Sequence, residues 1–336
     1  MESILLLAHT EAGGSLAKPA LEALTAALAL GGDLTVGLVG GAVESAAAAA
    51  AAAGARRILA ATGEPFTQPR YATDAAAAEA LARAAGAAIV LAPATSRWTR
   101  ALPGVAYRLA GRVDTHATGL AMRDSVPALT RWFYRQRIEA VVTRATRPWL
   151  ILLDPGCFAP WSGTPAAAAQ IETIPLEVPA SRTTVTGMQA PKADEQTIRP
   201  DAKLLFVAGA GWTKKQPDGA VHSAEAQQLI LGVLRAAQAS LGGSKSLVDL
   251  SGEGEAVLPF MTHLNQVGQT GSTPRHPKGL STCCHGEEPH VVGWRFVTER
   301  RAVNLDPNCG WTRGKADVVY VADAFAVVRE LNRLLS

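Results

Sequence analysis

The feature that most constrains the fold is the alternation of short aliphatic segments with helical ones along the first half of the chain. Segments such as Leu34–Gly40 are apolar throughout, whereas Leu16–Leu30 has apolar residues at helical spacing. A strand that is apolar on both faces must be covered on both, so the alternation predicts a parallel sheet between two layers of helices. The predicted strands are Ile4–Ala8, Leu34–Gly40, Arg57–Ala60, Ala88–Ala92, Arg137–Arg144 and Trp149–Leu153. The predicted helices are Leu16–Leu30, Ala42–Ala53, Ala72–Ala85 and Arg97–Ala110.

The same alternation resumes after a polar, proline-punctuated stretch that begins near Phe158. We expect one last strand there, Ala169–Leu176, and then a linker at residues 191–203. The pattern therefore predicts two doubly wound, Rossmann-like α/β domains, residues 1–190 and 204–336, with the ligand site in the second. The second domain has predicted strands at Leu204–Ala208, Ser246–Leu250, Gly279–Cys283, Arg301–Leu305 and Val318–Ala322, and predicted helices at Ser223–Leu241 and Asp323–Leu335.

Charge and hydropathy narrow the function classes. The 336 residues carry a net charge of +3 with lysine and arginine scattered, which does not favour a nucleic-acid-binding protein. The apolar run near the N-terminus, Ile4–Ala8, is too short for a signal sequence or a membrane span. We therefore expect a cytoplasmic protein without membrane insertion.

Five cysteine and histidine residues in the second domain raise the alternative of a metal site. Adjacent residues of a strand point to opposite faces, so Cys283 and Cys284 are poorly placed to share one ion. We therefore favour reduced thiols and predict no metal. The residues concerned are Cys283, Cys284, His285, His290 and Cys309.

Ligands of doubly wound sheets lie beyond the carboxyl ends of the strands, which makes the loops there the candidate site. Gly209 follows the strand Leu204–Ala208 and permits a close approach of backbone to a ligand, although the full G-x-G-x-x-G fingerprint is absent. The segment Gln266–Gly271 offers two amides, one hydroxyl and two glycines, and so can donate several hydrogen bonds to a phosphate or a heterocycle.

Several motifs, in order along the chain, resemble the α subunit of the electron-transfer flavoproteins. Gln-Val-Gly-Gln-Thr-Gly at Gln266–Gly271 is similar to that family's flavin-binding motif. At the spacing of the family, Cys283–His290 takes the place of its flavin loop, and Asn304–Pro307 resembles its Asn-Lys-Asp-Pro segment. In the first domain, Val90–Thr95 and Leu102–Ala106 resemble the family's Leu-Ala-Pro-Ala-Thr and Leu-Pro-Arg-Val-Ala.

The resemblance implies an electron carrier that binds FAD and forms a heterodimer with a β subunit, which itself holds AMP or a second flavin. It implies electron transfer from a flavoprotein dehydrogenase to a quinone reductase or another acceptor, with the first domain at the subunit interface. No catalytic residue is expected, because the chemistry belongs to the cofactor. The residues implied to hold the FAD are Gly209, Ser251, Gln266, Val267, Gly268, Gln269, Thr270, Gly271, His285, Gly286, His290, Asn304, Asp306 and Asp323.

The chain departs from the family at positions that tune the flavin. Placing Ser251 on the serine of the family's Gly-Ala-Ser-Arg segment puts Gly252 in the arginine position, and Gly211 and Trp212 stand where a second arginine is usual. Loss of a nearby cation lowers the flavin potential unless another lysine or arginine replaces it. The alternatives are a subunit whose flavin is weakly bound, a nucleotide binder without redox cycling, and an interaction subunit that retains only the fold.

The first domain shows isolated polar residues instead of a catalytic constellation. His9, Asp114, His116 and Tyr134 are each interpreted as structural. Trp and Arg are favoured at the centres of interfaces, so Arg97, Trp98 and Arg100 are predicted to face the β subunit.

Overall fold

A computed structural model describes residues 2–133, 138–180, 182–187, 198–199, 201–249, 258–268, 271–272, 274–282, 297–307 and 316–336. The chain divides into two compact units, Met1–Met188 and Gln189–Ser336. The predicted doubly wound α/β class is confirmed for both units.

Unit 1 is built on a sheet with nine strands in its described residues, in the order β7-β6-β5-β8-β4-β1-β2-β3-β9. Strands β8, β4, β1, β2, β3 and β9 run parallel, and helices cover both faces of this part. The strands are β1 Ser3–His9, β2 Asp33–Gly40, β3 Arg57–Thr62, β4 Ile89–Pro93, β5 Arg112–Arg123, β6 Val126–Phe133, β7 Ile138–Val142, β8 Trp149–Leu153 and β9 Glu172–Thr173. The helices are α1 Lys18–Leu30, α2 Glu44–Ala52, α3 Tyr71–Ala85 and α4 Ser96–Arg108.

The expectation of a wholly parallel sheet is wrong at one edge. β5, β6 and β7 form an antiparallel meander that extends the parallel core beyond β8. The sequence pattern missed β5 and β6, because these strands mix charged and polar residues with apolar ones and carry no long aliphatic run.

The segment after β8 packs back onto unit 1 and covers its alanine-rich face. The backbone N–H of Trp161 donates to the Leu21 carbonyl in α1 at 3.1 Å, and the backbone N–H of Ala166 donates to the Ala48 carbonyl in α2 at 3.0 Å. The strand predicted at Ala169–Leu176 is reduced to the two residues of β9, which pair with the outer edge of β3. The alanine side chains of α2 are small, so this extended segment approaches the helix closely and buries several of them. Helix propensity alone does not predict that burial.

Unit 2 is a five-stranded sheet in its described residues, with the order β11-β10-β12-β13-β14 and all pairs parallel. Phe206, Leu241 and Val303 of the sheet pack with two helices, α5 and α7, on one face. The strands are β10 Leu204–Ala208, β11 Ser240–Gly243, β12 His276–Thr282, β13 Val297–Asn304 and β14 Val318–Val321. The helices are α5 Ser223–Ala237, α6 Lys245–Asp249 and α7 Ala324–Leu335.

The second strand of unit 2 lies earlier in the chain than the sequence pattern predicts. Helix α5 ends at Ala237, where Gln238 takes a left-handed conformation with φ of 48°, and β11 follows at once. The predicted strand Ser246–Leu250 is wrong, because Lys245–Asp249 is the short helix α6. The four residues of β11 include two glycines and one serine, so Leu241 is the single aliphatic residue, although all four are buried.

No helix in the described ranges combines the length and apolar character needed to cross a bilayer.

Candidate functional site

The strand order of unit 2 defines where a ligand is expected. From β10 the chain passes to β11 on one side and then to β12 on the other, so the direction of winding reverses between β10 and β12. A sheet of this order binds ligands in the crevice at the reversal, outside the carboxyl ends of the strands. Because all five strands are parallel, the residues that follow them come together at a single edge of the sheet.

The first residues of the Gln266–Gly271 motif lie against this edge, at the carboxyl end of β11. Val267 donates its N–H to the Gly243 carbonyl at 3.0 Å, and the Asn265 side chain donates to the Leu241 carbonyl at 3.3 Å. The Val267 side chain is fully buried and packs on Leu205 and Val207 of the sheet. Val267 therefore anchors the loop, since its side chain and its N–H both serve the packing of the protein itself.

Three backbone hydrogen bonds close this loop on itself. Gly268 donates to Ser272 at 2.8 Å, Gly271 donates to Gly268 at 2.7 Å, and Ser272 donates to Gln266 at 2.8 Å. The Gln266 side chain is buried and donates to the Gly268 carbonyl at 3.3 Å. Gly268 has a φ of 88°, in the region that favours glycine.

Gly271 is required by a close approach within the same loop. A Cβ atom at this position would lie 2.3 Å from the Gln266 carbonyl oxygen and 2.8 Å from its carbonyl carbon. Backbone atoms cannot give way as a flexible side chain can, so any larger residue opens the loop. The two glycines of the motif thus have defined conformational roles.

Asn304 and Asp306 lie at the carboxyl end of β13, on the same edge of the sheet. Asn304 is the last residue of β13 and only 2% exposed, and its side-chain amide donates to the Asp306 carbonyl at 3.3 Å. Its carbonyl accepts the Ala322 N–H at 3.2 Å, which joins the ends of β13 and β14. The buried amide therefore shapes the turn that presents Asp306 at the surface.

Asp323, predicted to hold the adenosine end of FAD, is the N-cap of α7. Its carboxylate accepts hydrogen bonds from the N–H groups of Phe325 at 3.3 Å and Ala326 at 3.0 Å. A carboxylate at this position satisfies the unpaired donors of the first turn and interacts favourably with the helix dipole. The residue lies at the predicted edge, but its two oxygens already serve the helix.

Gly209 begins the turn that follows β10. Its N–H donates to the Thr282 carbonyl at 2.8 Å, which ties the ends of β10 and β12 together at the reversal point. Trp212, in the turn Ala210–Thr213, is fully buried against Phe325, and its indole N–H donates to the Thr282 hydroxyl at 2.9 Å. Trp212, which stands near the position of the second family arginine, is therefore a core residue.

The position of β11 puts a serine and a cation at the carboxyl end of a strand. Ser251 was expected at the end of a strand with Gly252 after it, whereas the strand that ends at this edge is followed by Ser244 and Lys245. Ser244 donates its N–H to the Ala208 carbonyl at 2.9 Å, and its hydroxyl accepts the Leu247 N–H at 3.2 Å. Lys245 is exposed at the first position of α6. Lys245 thus places a cation just beyond the end of β11. In the sequence, the Gly-Gly-Ser segment before Lys245 is the feature that indicates the end of this strand.

Six predicted site residues lie outside the described residues, and so does the cysteine and histidine cluster considered as a metal site. The six are Ser251, Gln269, Thr270, His285, Gly286 and His290. Their assignment stays a prediction. In the described ranges, no group of three or more metal-binding side chains comes together.

The predicted interface residues of unit 1 are mostly internal, so that prediction is wrong for two of the three. Trp98 is fully buried and Arg97 is 6% exposed. The Arg97 guanidinium donates to Asp74 at 2.8 Å and to the Phe66 carbonyl at 2.8 Å. Arg100 remains half exposed, with a longer ion pair of 3.8 Å to Asp74. Arg97 of α4 points inward because α3 supplies the buried carboxylate of Asp74, and Trp98 packs in the hydrophobic core of unit 1.

Comparison with known proteins bears mainly on unit 1. Residues 4–179, slightly more than half of the chain, match the family model described as the electron transfer flavoprotein domain. A comparison with curated proteins gives no match. The family match covers the parallel core of unit 1 and its antiparallel extension, and it ends before the edge formed by Gln266–Gly271. The chain therefore belongs to the electron transfer flavoprotein family.

Proposed function

We propose that the chain is the α subunit of an electron-transfer flavoprotein and that unit 2 binds FAD at the carboxyl edge of its sheet. In this proposal it pairs with a β subunit, which holds AMP or a second flavin, and works in the cytoplasm. Electrons pass from a flavoprotein dehydrogenase to a quinone reductase or another acceptor. The observation that carries the proposal is the set of hydrogen bonds that joins Gln266, Gly268, Gly271 and Ser272 to one another, while Val267 next to them is bonded to Gly243 at the end of β11. These residues lie on the carboxyl edge of the sheet, where the winding reverses between β10 and β12.

The chemistry of this edge suits a dinucleotide cofactor. A side chain at Gly271 would collide with the Gln266 backbone, and one at Gly268 would strain a backbone with positive φ. Because neither glycine carries a side chain, a ligand can approach the backbone closely at both. The edge also offers the Asp306 and Lys245 side chains, one of each charge. FAD, when bound, supplies the one-electron chemistry of the family.

The residues of the chain have a binding and tuning role in this proposal. Gln266, Gly268 and Gly271 shape the loop around the cofactor, and Asn304 holds the turn that presents Asp306. Gly209 fixes the turn at the reversal point, and Asp323 fixes the start of α7. In the proposal the wrap is completed by six further residues, Ser251, Gln269, Thr270, His285, Gly286 and His290.

The absorption spectrum of the chain, purified together with its β subunit, is the primary test. We expect the visible absorption bands of a bound flavin, with one FAD bound in unit 2 of each chain. A colourless complex that takes up no added FAD would contradict the proposal and favour an interaction subunit that retains only the fold.

A pair of glycine substitutions tests the site itself. Gly271→Ala places a methyl group against the Gln266 backbone, so we expect the FAD affinity to fall by tenfold or more, about 1.4 kcal/mol. Gly187→Ala is the matched control, because a Cβ there meets no atom within 4 Å. Equal FAD affinities of the two variants, measured by titration of the apoprotein, would remove the loop from the site.

A further inference from the structure

Unit 1 contains a cavity of its own, at the carboxyl ends of β1, β2 and β4. Its volume is about 630 Å³, and all of its lining residues belong to unit 1. They include His9 and Thr10 at the end of β1, Gly41 after β2, and Thr95 to Arg97 after β4. This volume falls in the range of pockets that enclose a small metabolite.

The cavity lies where the winding of the unit 1 sheet reverses. β1 has β2 on one side and β4 on the other, and both neighbours are parallel to it. The chain passes from β1 to β2 and β3, and then returns to β4 across β1. This is the place where doubly wound sheets bind ligands, and it is separate from the edge of unit 2 that is proposed for FAD.

The inner wall of the cavity offers donors for an anion. α4 begins at Ser96 with Thr95 as its N-cap, and the Thr95 hydroxyl accepts a hydrogen bond from the Trp98 backbone N–H. Among the described residues, none accepts the N–H of Ser96 or of Arg97, the first two of the helix. A 13-residue helix directs its positive dipole end to the same place.

Arg97 adds a charged donor to this wall. Its side chain is 7% exposed, and its Nε and Nη2 atoms are engaged by Asp74 and by the Phe66 carbonyl. In the described part of the chain, Nη1 has no hydrogen-bond partner, although Arg97 lines the cavity. The ion pair with Asp74 fixes the guanidinium, so this nitrogen is held in place before any ligand arrives.

The outer lining has the opposite character. Glu11 and Glu64 are exposed and border the cavity together with the Thr67 and Gln68 side chains. Carboxylates accept hydrogen bonds from hydroxyl groups and repel a second anionic group. His9, between the two walls, is neutral at physiological pH because burial and the nearby Arg97 charge lower its pKa to about 4.

We propose that this cavity binds a sugar phosphate, with the phosphate on the first turn of α4 and Arg97 and the sugar hydroxyls on Glu11 and Glu64. A phosphate monoester has three terminal oxygens, which match the two free N–H groups and Nη1. The sugar phosphate is either free or part of a nucleoside monophosphate, since the volume admits both. The proposal concerns unit 1 and does not depend on the cofactor of unit 2.

Isothermal titration calorimetry of the full chain, saturated with FAD so that unit 2 does not contribute, tests the proposal. Ribose 5-phosphate and adenosine 5′-monophosphate are the two probes, and ribose and adenosine are their phosphate-free controls. We expect at least one phosphate to bind with a Kd below about 1 mM and its control to bind at least tenfold more weakly. The tighter of the two probes identifies the source of the sugar phosphate. Absence of binding by both phosphates, or equal binding of the controls, overturns the proposal.

Substitutions in the first turn of α4 locate the site. Ser96→Pro removes one N–H at the first helical position of α4, where proline is tolerated.

 The backbone of Thr95, with φ of −76° and ψ of 157°, is compatible with a following proline. We expect Ser96→Pro to weaken phosphate binding about tenfold, since hydrogen bonds to a charged group are lost. Ser96→Ala is the matched control, because it retains the N–H, and we expect a smaller loss.

Arg97→Lys supplies a second measurement if the proline variant is poorly folded. Lysine keeps the charge beside Asp74 but cannot present the Nη1 donor, so we expect about tenfold weaker binding of the phosphates. Circular dichroism and FAD binding report whether each variant is folded. Wild-type phosphate affinity in folded Ser96→Pro and Arg97→Lys chains overturns the proposed site.

Discussion

Buried charges in unit 1 are held by specific partners. Asp114 is 3% exposed and accepts two hydrogen bonds from Arg144, at 2.8 and 2.9 Å, and one from the Trp149 indole at 2.9 Å. Burial opposes its ionisation, but these hydrogen bonds and the charges of Arg144 and Arg131 hold the pKa of Asp114 below its ordinary value. Asp114 therefore joins the meander to β8 and is a structural residue, as its isolation in the sequence indicated, although it is far from isolated in space.

His9 gives unit 1 a defined pH dependence. Burial, followed by the charge of Arg97, lowers its pKa from 6.5 to about 4, so the unfolded chain binds a proton more readily than the folded one. The stability contributed by neutral His9 is therefore present above pH 6.5 and is lost as the pH falls toward 4. Linkage gives a loss of about 2 kcal/mol between pH 7 and pH 5.

We expect His9→Gln to remove this loss, because glutamine has no titrating group. Urea denaturation at pH 7 and pH 5 measures the difference, and His116→Asn, at an exposed histidine with a positive φ, is the control that keeps the loss. An equal pH dependence of the parent and His9→Gln would show that His9 is not responsible.

Lys245 is the residue whose role in unit 2 is most sharply testable. It stands at the end of β11, next to the loop that is proposed to hold the flavin. A cation there favours the reduced, more negative cofactor, so we expect Lys245→Met to lower the flavin midpoint potential by tens of millivolts. For a one-electron couple, about 59 mV corresponds to a tenfold change in the equilibrium.

Lys245→Arg retains the charge and should keep the potential close to that of the parent protein. Spectroelectrochemical titration of the holoprotein measures all three potentials. Unchanged potentials in both variants would assign the tuning to other residues, such as Lys214 or Lys215.

At the scale of elements, the start of α7 combines a structural role with a proposed binding role. Because both Asp323 oxygens accept N–H groups of the first turn, we expect Asp323→Ala to lower the free energy of unfolding of unit 2 by about 1 kcal/mol. Asp323→Asn keeps an N-cap oxygen and should lose much less.

Paired measurements separate the two roles of Asp323. Chemical denaturation reports the cap, and FAD titration reports the proposed contact with the cofactor. If Asp323→Asn retains both stability and FAD affinity, the carboxylate charge has no role in binding; if it loses affinity alone, the proposed contact is supported.

At the scale of the whole molecule, each unit has hydrophobic clusters drawn from its own residues. The clusters of unit 1 extend from Ile4 to Leu176 and include the segment after β8, with Trp161 and Ile171 among its packed residues. We therefore expect a chain that ends at Gly187 to fold alone, with a cooperative urea transition.

A shorter chain that ends at Ala159 is the matched control. It lacks β9 and the side chains of Trp161 and Ile171, so we expect its free energy of unfolding to fall by about 3 kcal/mol or more. Failure of the longer chain to unfold cooperatively, observed by circular dichroism, would show that unit 1 depends on the rest of the protein.

The sequence determined the features that arise from local periodicity. The strands Leu204–Ala208 and Trp149–Leu153 were predicted with their observed bounds, because a central strand of a parallel sheet is apolar on both faces. The loop Gln266–Gly271 was recognised as a ligand-binding candidate from its amides and glycines. The alternation along the chain was also sufficient for the doubly wound class of both units.

The tertiary structure decided the features that depend on partners far away in sequence. β11 has a single aliphatic residue and is a strand because β10 pairs with it, and this pairing places Lys245 just beyond a strand end at the carboxyl edge. Arg97 and Trp98 have the composition of an interface, yet they are buried because Asp74 of α3 and the core of unit 1 accept them. Local sequence sets backbone preference and amphipathicity, whereas burial and pairing are set by residues that only folding brings together.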